Sequence, residues 1–380
     1  FVISTPVSVV SGITSAAKNG VLIKGGNHLE AMGDVDAVAL DKTGTLTKGE
    51  LAVTDLLPLG DADETTLLRR AAALERRSEH PIAAAILGRA ERAGVGALSE
   101  PTGFESLTGK GVRAEIDGET YYAGKPALFE GLGFDLSRAR AETDGGVVTG
   151  GDAASEPRGS DAGAFAEGSL AALEGEGKTV VLVGTETELT GAIAVADEVR
   201  RDSKRAVERL RELGVERVVM LTGDNEGTAR AIAESVGVDE YRAELLPEAK
   251  VAAVESLQAE YGEVAMVGDG INDAPALATA DVGVAMGAAG TDTALETADI
   301  ALMGDDVAKL PYLYALSHTA NGVIRQNVWA SLGVKALLAL GVPLGLVSVA
   351  VAVVVGDMGM SLGVTGNAMR LSGIEPESYE

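Results

Sequence analysis

The sequence predicts an α/β fold: a doubly wound parallel sheet, interrupted by an inserted α+β block and flanked by apolar helices. Three observations predict it. Apolar runs of strand length at 35–40, 218–221, 264–267 and 282–285 alternate with helical stretches, the pattern of βαβ units. Three of these runs lead into Asp41, Thr222 and Asp269, and such sheets gather their ligands at the carboxyl ends of their strands. Two apolar segments, 319–341 and 343–368, follow near the end of the chain, with Pro343 breaking them apart.

In order, residues 1–18 are apolar but too interrupted to cross a bilayer alone and read as the tail of a membrane helix. The parallel sheet draws on 19–51 and 191–312, and the inserted block is 52–190. Within that block, 67–75 and 82–93 have helical apolar spacing with charged opposite faces. The runs 112–116 and 120–123 flank Asp117 and Gly118 as a hairpin. Residues 141–169 are rich in Gly, Ala, Ser and Asp with few bulky apolar side chains. Such a stretch buries too little surface to offset its ordering entropy, so a loop is expected. Strands at 179–183 and 191–195 lead into a charged helix at 197–213, and further helices are expected through 229–235 and at 247–260.

At 380 residues the chain has room for two or three domains. Lys and Arg total 31 against 57 Asp and Glu, a net charge of −26. That excess repels nucleic acid and predicts none as a partner. The acids are spread over most of the soluble region, as in a solvated surface kept soluble at high salt. No cysteine is present, which excludes disulfides and thiolate metal ligands.

The run at 35–40 ends in Asp41-Lys42-Thr43-Gly44-Thr45-Leu46-Thr47. A strand-end carboxylate followed by small and hydroxylated residues can meet a phosphate held by backbone N–H groups, and such carboxylates form aspartyl-phosphates. This heptad resembles the phosphorylation signature of P-type ATPases, ion pumps of haloacid dehalogenase-like fold. Three further motifs fit the resemblance: Thr222-Gly223-Asp224, Lys250 within Leu246-Pro247-Glu248-Ala249-Lys250, and Met266-Val267-Gly268-Asp269-Gly270-Ile271-Asn272-Asp273. The resemblance implies Asp41 as nucleophile toward ATP, with Lys42, Thr43, Thr222, Gly223, Asp224 and Lys250 in the catalytic set. It also implies Mg²⁺ on Asp41 and Asp269, with the Thr43 carbonyl and Asp273 near by; paired carboxylates plus phosphate suit this hard cation. Soluble phosphatases of the same superfamily generally place an aspartate two residues after the nucleophile as general acid and base. Here Thr43 stands there and does not titrate near neutral pH, so the acyl-phosphate is expected to persist.

In the inserted block, Ser78-Glu79-His80-Pro81 resembles the nucleotide element of the heavy-metal branch, and Gly109-Lys110-Gly111 its Gly-x-Gly loop. The resemblance makes Glu79, His80, Gly109 and Gly111 the candidate ATP contacts. No Walker-type loop occurs, consistent with a different mode of ATP binding.

Two ionisable residues, Lys335 and Asp357, lie within the apolar segments, where charge is costly and faces a cavity or a partner. A structural ion pair between them, or a snorkelling Lys335, is the plainer alternative. Asn327 through Lys335 followed by Asp357-Met358-Gly359 resembles the last two helices of the zinc, cadmium and lead exporters. There the Asp ligates the metal and the Lys acts as counter-charge. Copper exporters carry Tyr-Asn and Met-x-x-Ser-Ser patterns that this sequence lacks, so copper is the alternative and a soluble phosphatase the more distant one. The Cys-Pro-Cys and Thr-Gly-Glu-Ser motifs of the family are not in the sequence. The chain is therefore expected to be a C-terminal part of a multi-pass pump in the cell membrane, with its phosphorylation and nucleotide domains cytoplasmic.

Overall fold

The structure, a computed structural model, describes residues 4–96, 99–107, 109–137, 139, 165, 166, 168–269, 273–287, 296–304 and 306–376. The chain divides into two compact units: Phe1–Lys48, Val199–Asp224 and Ile232–Glu380 form one, and Gly49–Glu198 with Asn225–Ala231 the other.

The first unit is built on seven strands. In chain order they are β1 (Val21–Ile23), β2 (Ala37–Asp41), β9 (Arg217–Leu221), β10 (Glu240–Arg242), β11 (Val264–Gly268), β12 (Val282–Met286) and β13 (Ile300–Leu302); β3–β8 belong to the other sheet. Their order across the sheet is β1-β13-β12-β11-β2-β9-β10. All pairings are parallel except β1 with β13 at one edge. β2 sits inside, with Leu40 opposite Met220 on β9 and Val267 on β11. A strand covered on both faces has no polar alternation, which is why Ala37, Val38, Ala39 and Leu40 form an unbroken apolar run. Ala37, Ala39, Val219, Leu221 and Met266 pack with Val254 and Leu257 of the helix Pro247–Tyr261.

The expected helix at 197–213 is shorter, Ser203–Glu212, because the preceding strand β8 (Leu189–Val199) runs past its predicted end. Of the two predicted membrane spans, only the second is long and apolar enough among the described residues, as Val349–Gly373. The first is the end of a longer helix, Lys309–Gly341, in which His318, Asn321, Arg325, Gln326, Asn327 and Lys335 lower the hydropathy. The N-terminal half of that helix is buried from Leu310 to Ser317, while Trp329, Leu337 and Leu340 nearer its C-terminus are exposed. The helices Ser4–Lys18, Gly26–Met32, Ser203–Glu212 and Met360–Ala368 lie against it.

The second unit is an antiparallel sheet of six strands: β3 (Thr47–Pro58), β4 (Thr102–Leu107), β5 (Gly111–Ile116), β6 (Glu119–Gly124), β7 (Thr179–Gly184) and β8, in the order β3-β8-β7-β6-β5-β4. The helices Glu64–Glu75 and Pro81–Ala93 cover one face, packing Leu67, Leu74 and Ile86 on Val112, Val181 and Ile193. The other face carries Phe129, Leu170 and Leu182. At the β5–β6 hairpin, Asp117 (φ 54°) and Gly118 (φ 86°) both take the left-handed backbone of a primed two-residue turn. Of the expected loop at 141–169, residues 141–164 and 167 lie outside the described residues. Its last part departs from expectation: Phe165 is buried in the core, and the helix Ser169–Gly175 begins ahead of β7.

Candidate active site

Asp41 ends β2 and is 4% exposed. Lys250, in the first turn of the helix Pro247–Tyr261, reaches it with Nζ 2.5 Å from Asp41 Oδ1 and 2.6 Å from Asp273 Oδ1. Alone in sequence Lys250 suits a solvated helix; in the fold it is buried between two carboxylates. Burial, then the charges of Asp273 and Asp269, raise the Asp41 pKa to about 7 against the opposing pull of Lys250. For Lys250, burial pulls downward, but Asp41 and Asp273 more than offset it and the ammonium is held above its usual value.

The donor set suits a hard divalent cation. Asp273 Oδ2 is buried and has no hydrogen-bond partner among the described residues, and an orphaned carboxylate oxygen in an acid-rich cluster is costly without a cation. No group of three or more His, Asp or Glu among the described residues is set to hold a metal unaided. Mg²⁺ binding completed by substrate phosphate and water fits that count. Residues 270–272 of the octet lie outside the described residues.

The heptad turns sharply after β2. Thr43 (φ −76°, ψ 126°) and Gly44 (φ 76°, ψ −13°) are the central residues of a type II turn, which needs glycine second. Thr47 Oγ1 donates to the Lys42 carbonyl at 2.9 Å. Lys42 is buried and pairs with Asp224 Oδ2 at 2.8 Å, tying the heptad to the strand-end motif after β9. Thr222 Oγ1 accepts from the Asp224 N–H at 3.1 Å, so its own proton remains available to donate. Around Gly223 the chain runs close to the Leu245 carbonyl. Asp41, Lys42, Asp224, Lys250 and Asp273 are thus linked by direct contacts, and Asp269 lies beside Gly44.

One residue the sequence did not mark is Arg200. It follows β8, and its side chain donates to the carbonyls of Gly44 and Thr47 at the back of the turn. An arginine directly after a strand is too common to signal this.

In the second unit His80 caps the helix Pro81–Ala93, its Nδ1 accepting from the Ile82 N–H at 3.2 Å. That bond assigns the ring proton of neutral His80 to Nε2, which points its donor away from the helix end. Glu79 is exposed. Glu75 is the acid tied to this turn: it is buried, bonded to Ser78 and close enough to His80 to feel its charge, and burial raises its pKa. The Ser78 hydroxyl in turn accepts from the His80 N–H at 3.3 Å. A lone acid on the apolar face of the helix Glu64–Glu75 was the missed signal. Gly111 has a structural reason to be glycine, since a methyl group there would stand 2.2 Å from the Ala123 carbonyl oxygen across the β5–β6 pair. Gly109 sits in an open left-handed turn just before β5.

In the apolar helices, Lys335 and Asp357 are both exposed and form no ion pair with each other among the described residues. Asp357 lies in a π-helical turn, Val354–Gly359, a widening of the helix found often at functional sites.

Residues 35–281 match the haloacid dehalogenase-like hydrolases. A probable cadmium-transporting ATPase of Staphylococcus aureus (strain MRSA252) is 45% identical over 372 residues, 97% of this chain and 48% of the relative. The copper-exporting P-type ATPase of Bacillus subtilis (strain 168) is 40% identical over 342 residues, 90% of this chain and 38% of the relative. Among solved structures, a zinc-transporting PIB-type ATPase in its E2.Pi state superposes with a TM-score of 0.81 at 39% identity, covering 98% of this chain and 55% of that one. The chain spans about half the length or less of the curated relatives named here.

Proposed function

Because the chain belongs to the haloacid dehalogenase-like hydrolases, and within them to the heavy-metal P-type ATPases, we propose that it powers export of a divalent heavy metal through an aspartyl-phosphate on Asp41. The observation that carries this is the Asp41–Lys250–Asp273 cluster at the end of β2, with Thr43 where a phosphatase would place its acid.

The Asp41 carboxylate oxygen attacks the γ-phosphorus of ATP, the bond to the β,γ-bridging oxygen breaks, and ADP leaves with the electron pair. Lys250 holds that oxygen in place and takes up negative charge on the transferred group, with Thr222 donating a further hydrogen bond. Asp41 and Asp269, with the Thr43 carbonyl and Asp273 near by, would hold Mg²⁺, which supplies charge to offset the repulsion between carboxylate and triphosphate. No titratable group stands at Thr43 to activate water, so the acyl-phosphate outlasts a conformational change. For the nucleotide, His80 offers its ring and Nε2–H. Glu75, and not the exposed Glu79, is the carboxylate tied to that turn.

In the membrane segment Asp357 would bind the transported ion, with Lys335 as counter-charge. Zinc, cadmium or lead fits the carboxylate; copper is the second reading, since Met358 and Met360 beside it are soft donors.

Incubation with labelled ATP and Mg²⁺ tests the core of this reading. An acid-stable, hydroxylamine-sensitive phosphoprotein is expected, and it should vanish in Asp41→Asn. Labelling that persists in that variant would remove Asp41 as acceptor.

A further inference from the structure

Directly after Asp41 the chain makes the type II turn at Thr43 and Gly44. With glycine at its second position, the residues of the turn do not by themselves hold it rigid.

Arg200 acts on this turn from behind. Its Nη2 donates to the Gly44 carbonyl at 2.9 Å, its Nε to the Thr47 carbonyl at 3.0 Å, and its backbone N–H to the Leu46 carbonyl at 2.9 Å. Ser203 Oγ adds a second bond to Leu46, 2.7 Å long and buried. A planar guanidinium with donors in a fixed fork gives direction to such a grip, which a lysine ammonium does not. Its charge also offsets the partial negative charge of carbonyls close to where an anionic phosphate arrives.

We propose that Arg200 is a positioning residue for phosphoryl transfer: by gripping the Gly44, Leu46 and Thr47 carbonyls it holds the back of the turn that follows Asp41 in one place. The loop then meets phosphate and metal with a fixed set of donors and acceptors. This rests on Asp41 being the phosphoryl acceptor.

The test compares the whole chain with Arg200→Gln and Arg200→Lys. Amide hydrogen exchange over 42–47 reads the grip directly and needs no turnover. Exchange should be faster in Arg200→Gln and intermediate in Arg200→Lys. Phosphoenzyme formation at saturating Mg-ATP should fall about 10- to 100-fold in Arg200→Gln, as expected for a misplaced reacting group, with partial recovery in Arg200→Lys. Affinity for a fluorescent ATP analogue should stay unchanged. Unchanged exchange in Arg200→Gln would overturn the proposal, as would faster exchange with phosphorylation at the parental rate. Parallel loss of nucleotide affinity and phosphorylation would reduce Arg200 to a structural residue and also overturn it. If the parent takes no label while Arg200→Gln still loosens the loop, the reading of Asp41 fails and the grip itself stands.

Discussion

At the scale of single residues, Glu75 and Asp41 are both buried acids, yet their neighbours set them different tasks. Asp41 is compensated by Lys250, whereas Glu75 has a serine hydroxyl and His80 near by. With its pKa raised above the ordinary 4.5, Glu75 holds a proton more tightly in the folded chain than in the unfolded one. Its contribution to stability is therefore complete below the unfolded value and lost as pH rises through the folded one. Glu75→Gln should accordingly melt at a higher temperature than the parent at pH 7, with the gap closing toward pH 4. The same variant should bind ATP more weakly, and Glu79→Gln should not. A gap that does not vary with pH would mean that Glu75 is not the strained group. Arg200 was not legible in the sequence, because it acts through the Gly44 and Thr47 carbonyls that only the fold supplies; Glu75 left one faint signal, an acid on an apolar helix face, whose Ser78 partner only the fold reveals. The heptad and the octet were legible because their chemistry is contiguous in sequence.

Among elements, the seam between the helix Gly26–Met32 and the long helix Lys309–Gly341 joins the sheet to the apolar segments. Gly33 ends the shorter helix just ahead of β2, and its carbonyl lies 3.1 Å from His318 Nδ1. Asn321 donates to the Glu30 carbonyl at 2.8 Å, and Arg325 pairs with Asp34 at 3.1 Å. The backbones approach so closely that a methyl group on Gly33 would stand 2.5 Å from the Ser317 carbonyl oxygen. Gly33 has φ −78°, so the objection to alanine is steric and not conformational. Gly33→Ala should cost about 1–3 kcal/mol, read as a lower melting temperature, while Gly322→Ala, where nothing lies within 4 Å, should cost none of that. The elements that sequence could not resolve have physical reasons. β1, β10 and β13 are three residues each, too short for a period to emerge. β3 is mostly half-buried or exposed, without alternation, so its twelve residues do not announce a strand. The sheet's inner strands β2, β9, β11 and β12 were legible because burial on both faces leaves near-continuous apolar runs.

At the scale of the whole molecule, the proposed function puts the phosphorylation cluster and the choice of cargo on different elements. On that proposal metal choice falls to the apolar helices, where Asp357 occupies a π-helical turn. In the complete pump, Zn²⁺ or Cd²⁺ should stimulate ATP turnover and Asp357→Asn should abolish the stimulation. Stimulation by Cu⁺ alone would instead favour Met358 and Met360 as ligands and reverse the assignment of metal.

The strand order also dictates how the chain comes off the ribosome. β2 ends at Asp41, and its two neighbours begin at Arg217 and Val264. At about 5–20 residues per second of synthesis, β2 waits roughly 10–45 s after it is made for its second neighbour. The inserted sheet, drawn almost wholly from Gly49–Glu198, can close within that interval. Until then one edge of Ala37–Asp41 stays unpaired and open to mispairing. The central placement that buries Asp41 in the finished protein therefore leaves its strand open along one edge long after it is made.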